Sequence, residues 1–206
     1  MEHTQCKRCR RLRQKLFLKG ERCFTPKCAM IRKPYAPGFK PKRYSGSLSE
    51  YGRQLAEKQK IKAIYGLSEK QLKNYFKKAI AKKGDIGPSE TLLSFLDARI
   101  DSVIFDLGWA FSRRQARQLV SHGLVMVNNR TIKTPSREIK IKDIMRLKKP
   151  SPALIKEINQ RQKGRKTFSW LALDNDGLSA SVVAKPQVSD MELSIKMSLI
   201  IEYLSK

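Results

Sequence analysis

Four cysteines near the start of the chain have the spacing of a metal site. Two residues separate Cys6 from Cys9. After thirteen further residues, Cys23 and Cys28 form a second pair with four residues between them. Two such pairs can converge on one tetrahedral Zn²⁺, which would be structural because no ligand position is left for water. The alternative is that the cysteines are free or paired in disulfides, although disulfides are rare in intracellular proteins.

A basic helix is predicted between Ser112, which can cap it, and Gly123, which can end it. Its apolar residues Ala116, Leu119 and Val120 would face a core, so the remaining positions would face outward. Guanidinium groups on one rigid face bind phosphates in a planar, bidentate manner and suit the backbone of folded RNA. A basic helix face that contacts only solvent is the alternative. The outward side chains would be Arg113, Arg114, Arg117 and Gln118.

No catalytic constellation is recognised in the sequence. Asp97, Asp101 and Asp106 are neighbours, but ion pairs beside Arg99 or helix-end charges explain them without chemistry. The two histidines have no nucleophile close in sequence, and there is no glycine-rich phosphate loop. We therefore expect a binding protein and not an enzyme.

The basic helix belongs to a region, residues 93–149, whose pattern predicts a small α/β module. Apolar residues recur every three or four positions from Leu93 to Leu107, which predicts a single helix ending at Gly108. After the basic helix, an apolar run, the turn pair Asn128-Asn129 and a returning segment predict a hairpin. Residues 143–147 would add a strand, so two helices would pack on a short antiparallel sheet.

Mainly helical sequence flanks this module. Capping boxes at residues 47–50 and 68–71 begin two helices. In the first of them, Arg53, Glu57, Lys58 and Lys60 would face outward. Beyond the module, the patterns predict a short helix after residue 151, two strands around a turn at 170–184, and a terminal helix at 195–204. The predicted fold class is α+β, with a mainly helical domain (47–92 and 150–206) into which the module is inserted.

Residues 1–46 are expected to form a zinc-bound segment followed by a basic arm. The arm, residues 32–47, contains three prolines and five basic residues, a composition that favours an extended chain. Its aromatic residues Tyr35, Phe39 and Tyr44 either stack on exposed bases or dock on the protein.

The net charge of +26 over 206 residues makes nucleic acid the first partner to consider. Residues 1–43 hold 14 Lys or Arg against 2 acids, whereas residues 167–206 hold 3 against 5. This gradient suggests an N-terminal part immersed in RNA and a C-terminal part that packs on protein or faces solvent. An acidic membrane surface is the rival partner, but no apolar run approaches the roughly 18 residues of a span and no signal peptide is recognised. We expect a soluble, cytoplasmic protein.

Several stretches resemble the RNA-binding module named after the bacterial small-subunit ribosomal protein S-four family. They are residues 96–101, 112–120, 122–123, 127–130 and 135–136. The flanks resemble the same family over nearly the whole chain, in its zinc-binding four-cysteine form, at residues 15–23, 33–35, 48–52, 57–60 and 169–171. The arm departs from the family at Phe39-Lys40, where a Gln-His pair is usual, and the chain ends in Tyr203-Leu204-Ser205-Lys206 where Phe-Tyr-Ser-Arg is common.

The resemblance implies a protein that binds the five-prime domain of small-subunit ribosomal RNA and nucleates subunit assembly. The resemblance also implies contacts with neighbouring small-subunit ribosomal proteins and with messenger RNA near the entry channel, where the family influences translational accuracy. It implies no membrane partner. The candidate RNA-binding residues are Lys7, Arg8, Arg10, Arg11, Arg13, Lys33, Lys42, Arg43, Arg53, Lys58, Lys60, Ser112, Arg113, Arg114, Arg117, Gln118, Asn128 and Arg130.

Two other functions use the same module. A pseudouridine synthase would need a separate catalytic domain of about 100 residues after Leu147, and only 59 residues remain. A free-standing assembly or rescue factor that visits ribosomes transiently remains an alternative. Stable stoichiometric occupancy of small subunits would distinguish a structural component from such a factor.

Overall fold

The computed structural model describes residues 4–38, 48–82, 86–162, 168–186 and 195–205. Phe39, Lys42, Arg43 and Tyr44 of the predicted arm lie outside these residues. The architecture is α+β, as predicted. In chain order the elements are α1 (Thr4–Leu12), a 3-10 turn (Gly20–Cys23), α2 (Ala29–Arg32), α3 (Glu50–Tyr65), α4 (Glu69–Ala81), α5 (Pro88–Asp97), α6 (Ile100–Asp106), α7 (Arg113–Ser121), β1 (Val125–Val127), β2 (Arg130–Ile132), β3 (Ile144–Leu147), α8 (Pro152–Gln162), β4 (Leu171–Leu173), β5 (Ser179–Val182) and α9 (Met197–Ser205).

The chain divides into two compact units, the first formed by residues 1–80 and 193–206 and the second by residues 81–192. These boundaries differ from the predicted domains at residues 81–92 and 150–192, which the sequence grouped with the helical domain. The difference arises because β5 pairs with β3, with Ala180 opposite Met145, so α8, β4 and β5 belong to the unit that contains the module. Such a pairing joins segments far apart in sequence.

In the first unit, a serine caps the start of both α3 and α4, and the predicted box at residues 68–71 is confirmed; Ser47, which would begin the predicted box at residues 47–50, lies outside the described residues. Ser49 Oγ accepts a hydrogen bond from Gly52 N at 3.2 Å, which caps α3. At α4, Ser68 Oγ accepts from Gln71 N and Gln71 Oε1 accepts from Ser68 N, a complete capping box. These bonds satisfy backbone donors that the first helical turn leaves without partners.

The predicted outward face of α3 is wrong for two of its residues. Lys58 and Lys60 are each only 5% exposed. Lys58 Nζ lies 2.8 Å from Glu69 Oε1 and 4.1 Å from the centre of the Tyr203 ring. Since both α4 and α9 supply these partners, α3 is covered on more sides than a surface helix, and its buried lysines are stabilised by ion pairing.

The second unit is built on a five-stranded antiparallel sheet of order β2-β1-β3-β5-β4. One apolar core runs from α6 and α7 through the sheet to α8. At its centre Trp109 is fully buried, and its indole Nε1 donates a hydrogen bond to Gly177 O at 2.8 Å. This bond ties the loop after α6 to the turn between β4 and β5.

The predicted single helix from Leu93 to Leu107 is wrong, because the chain forms α5 and α6 with a break between them. Arg99 is extended, with φ −70° and ψ 139°, and bridges to Glu138. Ile100 N donates to Arg137 O, and Ile139 N donates to Ala98 O. The backbone at the break therefore pairs with residues 137–139, an interaction that apolar spacing cannot predict.

Candidate nucleic-acid interface

Helix α7 presents a basic face, as its sequence predicts. Ser112 Oγ accepts from Gln115 N at 3.3 Å and begins the helix, so the Ser112 hydroxyl serves as a cap. Gly123, with φ +72°, follows its end. Its apolar residues Ala116, Leu119 and Val120 are buried, as expected. The exposed side chains on the other side are Arg114, Arg117 and Gln118.

Arg113 does not belong to this exposed face, and its predicted outward position is wrong. Its guanidinium Nη2 lies 3.7 Å from a carboxylate oxygen of Asp97 and 3.7 Å from one of Asp106. The guanidinium also lies over the Phe105 ring, 4.7 Å from its centre. A planar guanidinium can stack and pair at once, so Arg113 fastens α7 to α5 and α6.

A buried ion pair lies beneath the exposed face of α7. Arg99 is fully buried and donates from Nε and Nη2 to the two carboxylate oxygens of Asp101, at 2.9 and 2.6 Å. One of these oxygens is 3.7 Å from Nη1 of Arg117. The prediction that ion pairs explain the three aspartates is confirmed. Asp101 therefore also forms an ion pair with Arg117, whose side chain is 46% exposed.

The hairpin beside this unit's core forms at the predicted turn. Asn128 and Asn129 have φ of 49° and 62°, the left-handed region that two-residue hairpins require. Asn128 donates from Nδ2 to Asp143 Oδ1 at 2.7 Å and accepts from Ile144 N at 2.9 Å. The amide of Asn128 is therefore engaged within the protein, whereas Arg130 on β2 is exposed.

A second basic surface lies in the first unit, around α1. A cleft of about 640 Å³ is lined by Lys7, Arg8, Arg10, Arg11, Lys33, Tyr35, Pro37 and Gly38. Arg10 is buried at its base, where it lies 4.8 Å from the centre of the Tyr35 ring and donates from Nε to Tyr35 O at 2.9 Å. Tyr35 is thus docked on the protein, and Arg10 holds the start of the arm against α1. The other four basic residues are exposed around the opening.

The four cysteines all lie in this same unit, and none forms a disulfide. Burial raises the pKa of the Cys9 thiol, and the nearby sulfurs of the other three cysteines raise it further, against a backbone hydrogen bond at Leu16. Burial likewise raises the pKa of Cys23. Within the described residues, however, no three His, Cys, Asp or Glu side chains are arranged as a metal site.

The remaining predicted contact residues have different surroundings. Arg13, with φ +53°, and Arg53 are exposed. Lys58 and Lys60 are buried in ion pairs with Glu69 and Glu57, so neither presents its charge on the surface. Lys42 and Arg43 lie outside the described residues. Across the described part of the chain, no helix is both long and apolar enough to cross a membrane.

Comparison with known proteins gives a consistent result. Residues 1–97 match the family model for the ribosomal protein S4/S9 N-terminal domain, and residues 98–144 match the S4 domain model. Small ribosomal subunit protein uS4 of Thermus thermophilus is 42% identical over 203 residues, covering 98% of this chain and 96% of the relative. The uS4 proteins of Solidesulfovibrio magneticus and Acetivibrio thermocellus are each 44% identical, covering 98% of this chain and 97% of their own lengths.

Proposed function

Since the chain belongs to the small ribosomal subunit protein uS4 family, we propose that it is a structural component of the small ribosomal subunit that binds ribosomal RNA directly. The relatives match nearly the full length of the chain, so the assignment covers both compact units. The protein acts by binding, without turnover, and its place is on the ribosome in the cytoplasm.

The exposed face of α7 is the observation that carries this proposal. Arg114, Arg117 and Gln118 project from a helix whose opposite side is buried in the core. Arg117 forms an ion pair with Asp101 at 3.7 Å and keeps 46% of its side chain exposed, so its guanidinium is accessible to a phosphate. Planar guanidinium groups in a fixed arrangement recognise the shape of a folded RNA backbone better than mobile charges do.

The cleft around α1 supplies a second RNA-binding surface. Lys7, Arg8, Arg11 and Lys33 are exposed around it, in the part of the chain that holds 14 basic residues against 2 acids. Because the cleft and the face of α7 lie in different units, they can contact different RNA segments. Neutralising both segments reduces the repulsion between their phosphate backbones.

The finer functions are proposed from the family resemblance. The RNA would be the five-prime domain of small-subunit ribosomal RNA, bound early enough to nucleate assembly. Neighbouring ribosomal proteins and messenger RNA near the entry channel would be the further partners, with an effect on translational accuracy. A free-standing assembly or rescue factor is the alternative, and stoichiometric occupancy of purified small subunits would exclude it.

We also propose that Cys6, Cys9, Cys23 and Cys28 hold a structural Zn²⁺. The support is the spacing of the two cysteine pairs, the burial of three of these residues, and the absence of a disulfide at all four. Zinc would deprotonate the thiols, overcoming the burial that raises the pKa of Cys9 and Cys23. Elemental analysis should find one zinc per chain, absent from Cys9→Ser; four titratable thiols in a zinc-free, folded chain would contradict the proposal.

The test of RNA binding is the affinity for a transcript of the five-prime domain over a salt series, with a generic structured RNA as competitor. Specific recognition predicts that affinity for the ribosomal transcript stays well above that for the competitor as salt rises. If the two affinities fall together, the protein is a nonspecific polycation binder or a transient factor.

Variants of α7 locate the RNA-binding surface. Arg114→Gln combined with Arg117→Gln should weaken binding and lower the slope of log affinity against log salt by about one for each phosphate that is no longer neutralised. Lys156→Gln, an exposed change on α8 of the same unit, is the matched control and should leave the ribosomal preference intact. If the α7 variant and Lys156→Gln weakened RNA binding equally, α7 would not be part of the RNA interface.

A further inference from the structure

We propose that Phe17 and Phe24 form a stacking site for an unpaired RNA base, an inference that rests on the RNA-binding function proposed above. The two rings are stacked, with centres 4.9 Å apart and planes inclined by 27°. Phe17 is 43% exposed and Phe24 is 72% exposed. Phe17 covers one face of the Phe24 ring, and the large exposure of Phe24 leaves its other face available to a flat ligand.

The backbone holds this pair in place although the rings themselves are exposed. Leu16, which precedes Phe17, and Cys23, which precedes Phe24, are both buried. Phe17 has φ +51°, a left-handed conformation that is strained for a bulky side chain. Its carbonyl accepts from Gly20 N at 3.3 Å, which closes the turn that imposes this conformation. The fold thus maintains an exposed aromatic ring at the expense of local strain.

The surrounding charge indicates a nucleic-acid ligand and not an apolar protein surface. Lys15 Nζ lies 5.4 Å from the centre of the Phe17 ring, and Arg22 and Lys27 are exposed on either side of Phe24 in sequence. Residues 15–27 contain four basic residues and one acid. An apolar partner would have to bury these cations, whereas a base brings phosphates that neutralise them.

Other aromatic rings of this unit already have partners; of the three residues that the sequence suggested for stacking, Tyr35 alone lies among the described residues. Tyr35 already has the guanidinium of Arg10 over its ring. Tyr51 pairs with Tyr203 at a centre-to-centre distance of 5.6 Å, on the packed helices α3 and α9. The exposure of Phe17 is evident only from the structure.

The experiment uses the full chain with Phe24→Trp and Phe24→Leu. Phe24→Trp keeps a stacking ring and should bind the five-prime-domain transcript as tightly as the wild type. RNA should quench the fluorescence of the new tryptophan, because a base stacked on an indole quenches its emission. The chain's two own tryptophans, Trp109 and Trp170, are buried, so the wild type supplies the background emission. Phe24→Leu keeps an apolar side chain but not the ring, and should weaken binding by about tenfold.

Ile80→Ala is the matched control, since Ile80 is an exposed, non-aromatic apolar residue of the same unit. An unquenched Phe24→Trp, or a Phe24→Leu that binds like the wild type or like Ile80→Ala, would overturn the stacking site. Quenching is measured at low salt, where a chain of charge +26 is saturated by any structured RNA. A lack of preference for the ribosomal transcript would therefore refute the proposed function, while the quenching would still decide whether a base stacks on position 24.

Discussion

Arginine side chains in this protein have two distinct roles, and their neighbours decide which. Arg10 turns inward, where it lies over the Tyr35 ring and donates a hydrogen bond to the Tyr35 carbonyl oxygen. Arg113 also turns inward, where it lies over the Phe105 ring and pairs with the Asp97 carboxylate. Arg114, in contrast, faces outward on α7 and is exposed. A guanidinium is weakly hydrated and planar, so it can be buried where an aromatic ring and an oxygen acceptor meet. The basic residues of the sequence therefore include both RNA contacts and structural links.

The buried pair of Arg99 and Asp101 is expected to be essential for the stability of the second unit. Asp101→Asn would leave the guanidinium of Arg99 buried without a full countercharge, and should destabilise the unit by about 3 kcal/mol. Chemical denaturation followed by tryptophan fluorescence measures this, because both tryptophans lie in that unit. Glu157→Gln is the control: its side chain is 45% exposed and its ion pair with Arg161 is partly solvated, so the loss should stay below about 1 kcal/mol. Equal losses in the two variants would contradict the role of the buried pair.

At the scale of the element, local contacts establish the ends of helices and strands, and ion pairs join the elements to each other. Lys58 on α3 bonds Glu69 on α4 and lies over Tyr203 of α9, so one side chain links three helices. In the second unit, Asn128 links the hairpin turn to β3 through Asp143 and Ile144. In both links, the partner of the polar side chain could not be predicted from the neighbouring sequence.

The two asparagines of the hairpin turn should respond in opposite ways to glycine. Asn129→Gly relieves a positive φ and should stabilise the second unit by up to about 1 kcal/mol. Asn128→Gly relieves the same strain but loses two hydrogen bonds, and should destabilise the unit by about 1–2 kcal/mol. Urea midpoints from tryptophan fluorescence compare them directly. Stabilisation by both substitutions would mean that the bonds of Asn128 contribute little.

The cluster around Glu69 predicts a pH dependence of the first unit. Hydrogen bonds from Lys58 and Lys62 lower the pKa of Glu69 below its ordinary value of 4.5. Because the pKa of Glu69 is lower in the folded than in the unfolded protein, its ion pairs contribute their full stabilisation above the ordinary value of 4.5. This stabilisation is lost as the pH falls through the folded-state pKa. The stability difference between the wild type and Glu69→Gln should therefore shrink below about pH 4.5.

Tyrosine signals in the near-ultraviolet circular dichroism measure this, because all six tyrosines lie in the first unit. Glu50→Gln, which changes an exposed carboxylate at the start of α3, is the control for general acid effects. A constant difference between the wild type and Glu69→Gln from about pH 6 to about pH 3 would show that the ion pairs of Glu69 do not contribute.

At the scale of the whole molecule, the chain combines two compact units with separate basic surfaces. The first unit is closed by α9, and Lys196 N, just before that helix, donates to Glu57 on α3. The second has its own sheet and its own apolar core, made entirely of residues between 100 and 184. This organisation is compatible with the proposed binding of more than one RNA segment.

Residues 81–192 should fold when expressed alone. The sheet and the core are complete within them, and Trp109 keeps its bond to Gly177. The expected observations are a cooperative urea transition and a blue-shifted tryptophan emission equal to that of the full chain. Red-shifted emission without a transition would show that this unit requires the first one.

Features that depend only on neighbouring residues could be predicted from the sequence. Capping at Ser68 and Ser112, the Asn128-Asn129 turn and the basic face of α7 all follow from residues within a few positions of each other, and the structure confirms them. The family resemblance likewise rested on contiguous motifs, and the full-length relatives confirm it. Local signals are readable because caps, turns and periodicity act over one or two turns of chain.

The burial of individual charged and aromatic side chains became evident only from the packing of the elements. The break at Arg99 depends on residues 137–139, and the burial of Lys58 depends on α4 and α9. The exposure of Phe17 depends on a left-handed turn in the cysteine segment. Burial of a charge is favourable only where a distant part of the chain brings an opposite charge or an acceptor to it. Such partners are set by the packing of elements, which the order of residues within one element does not specify.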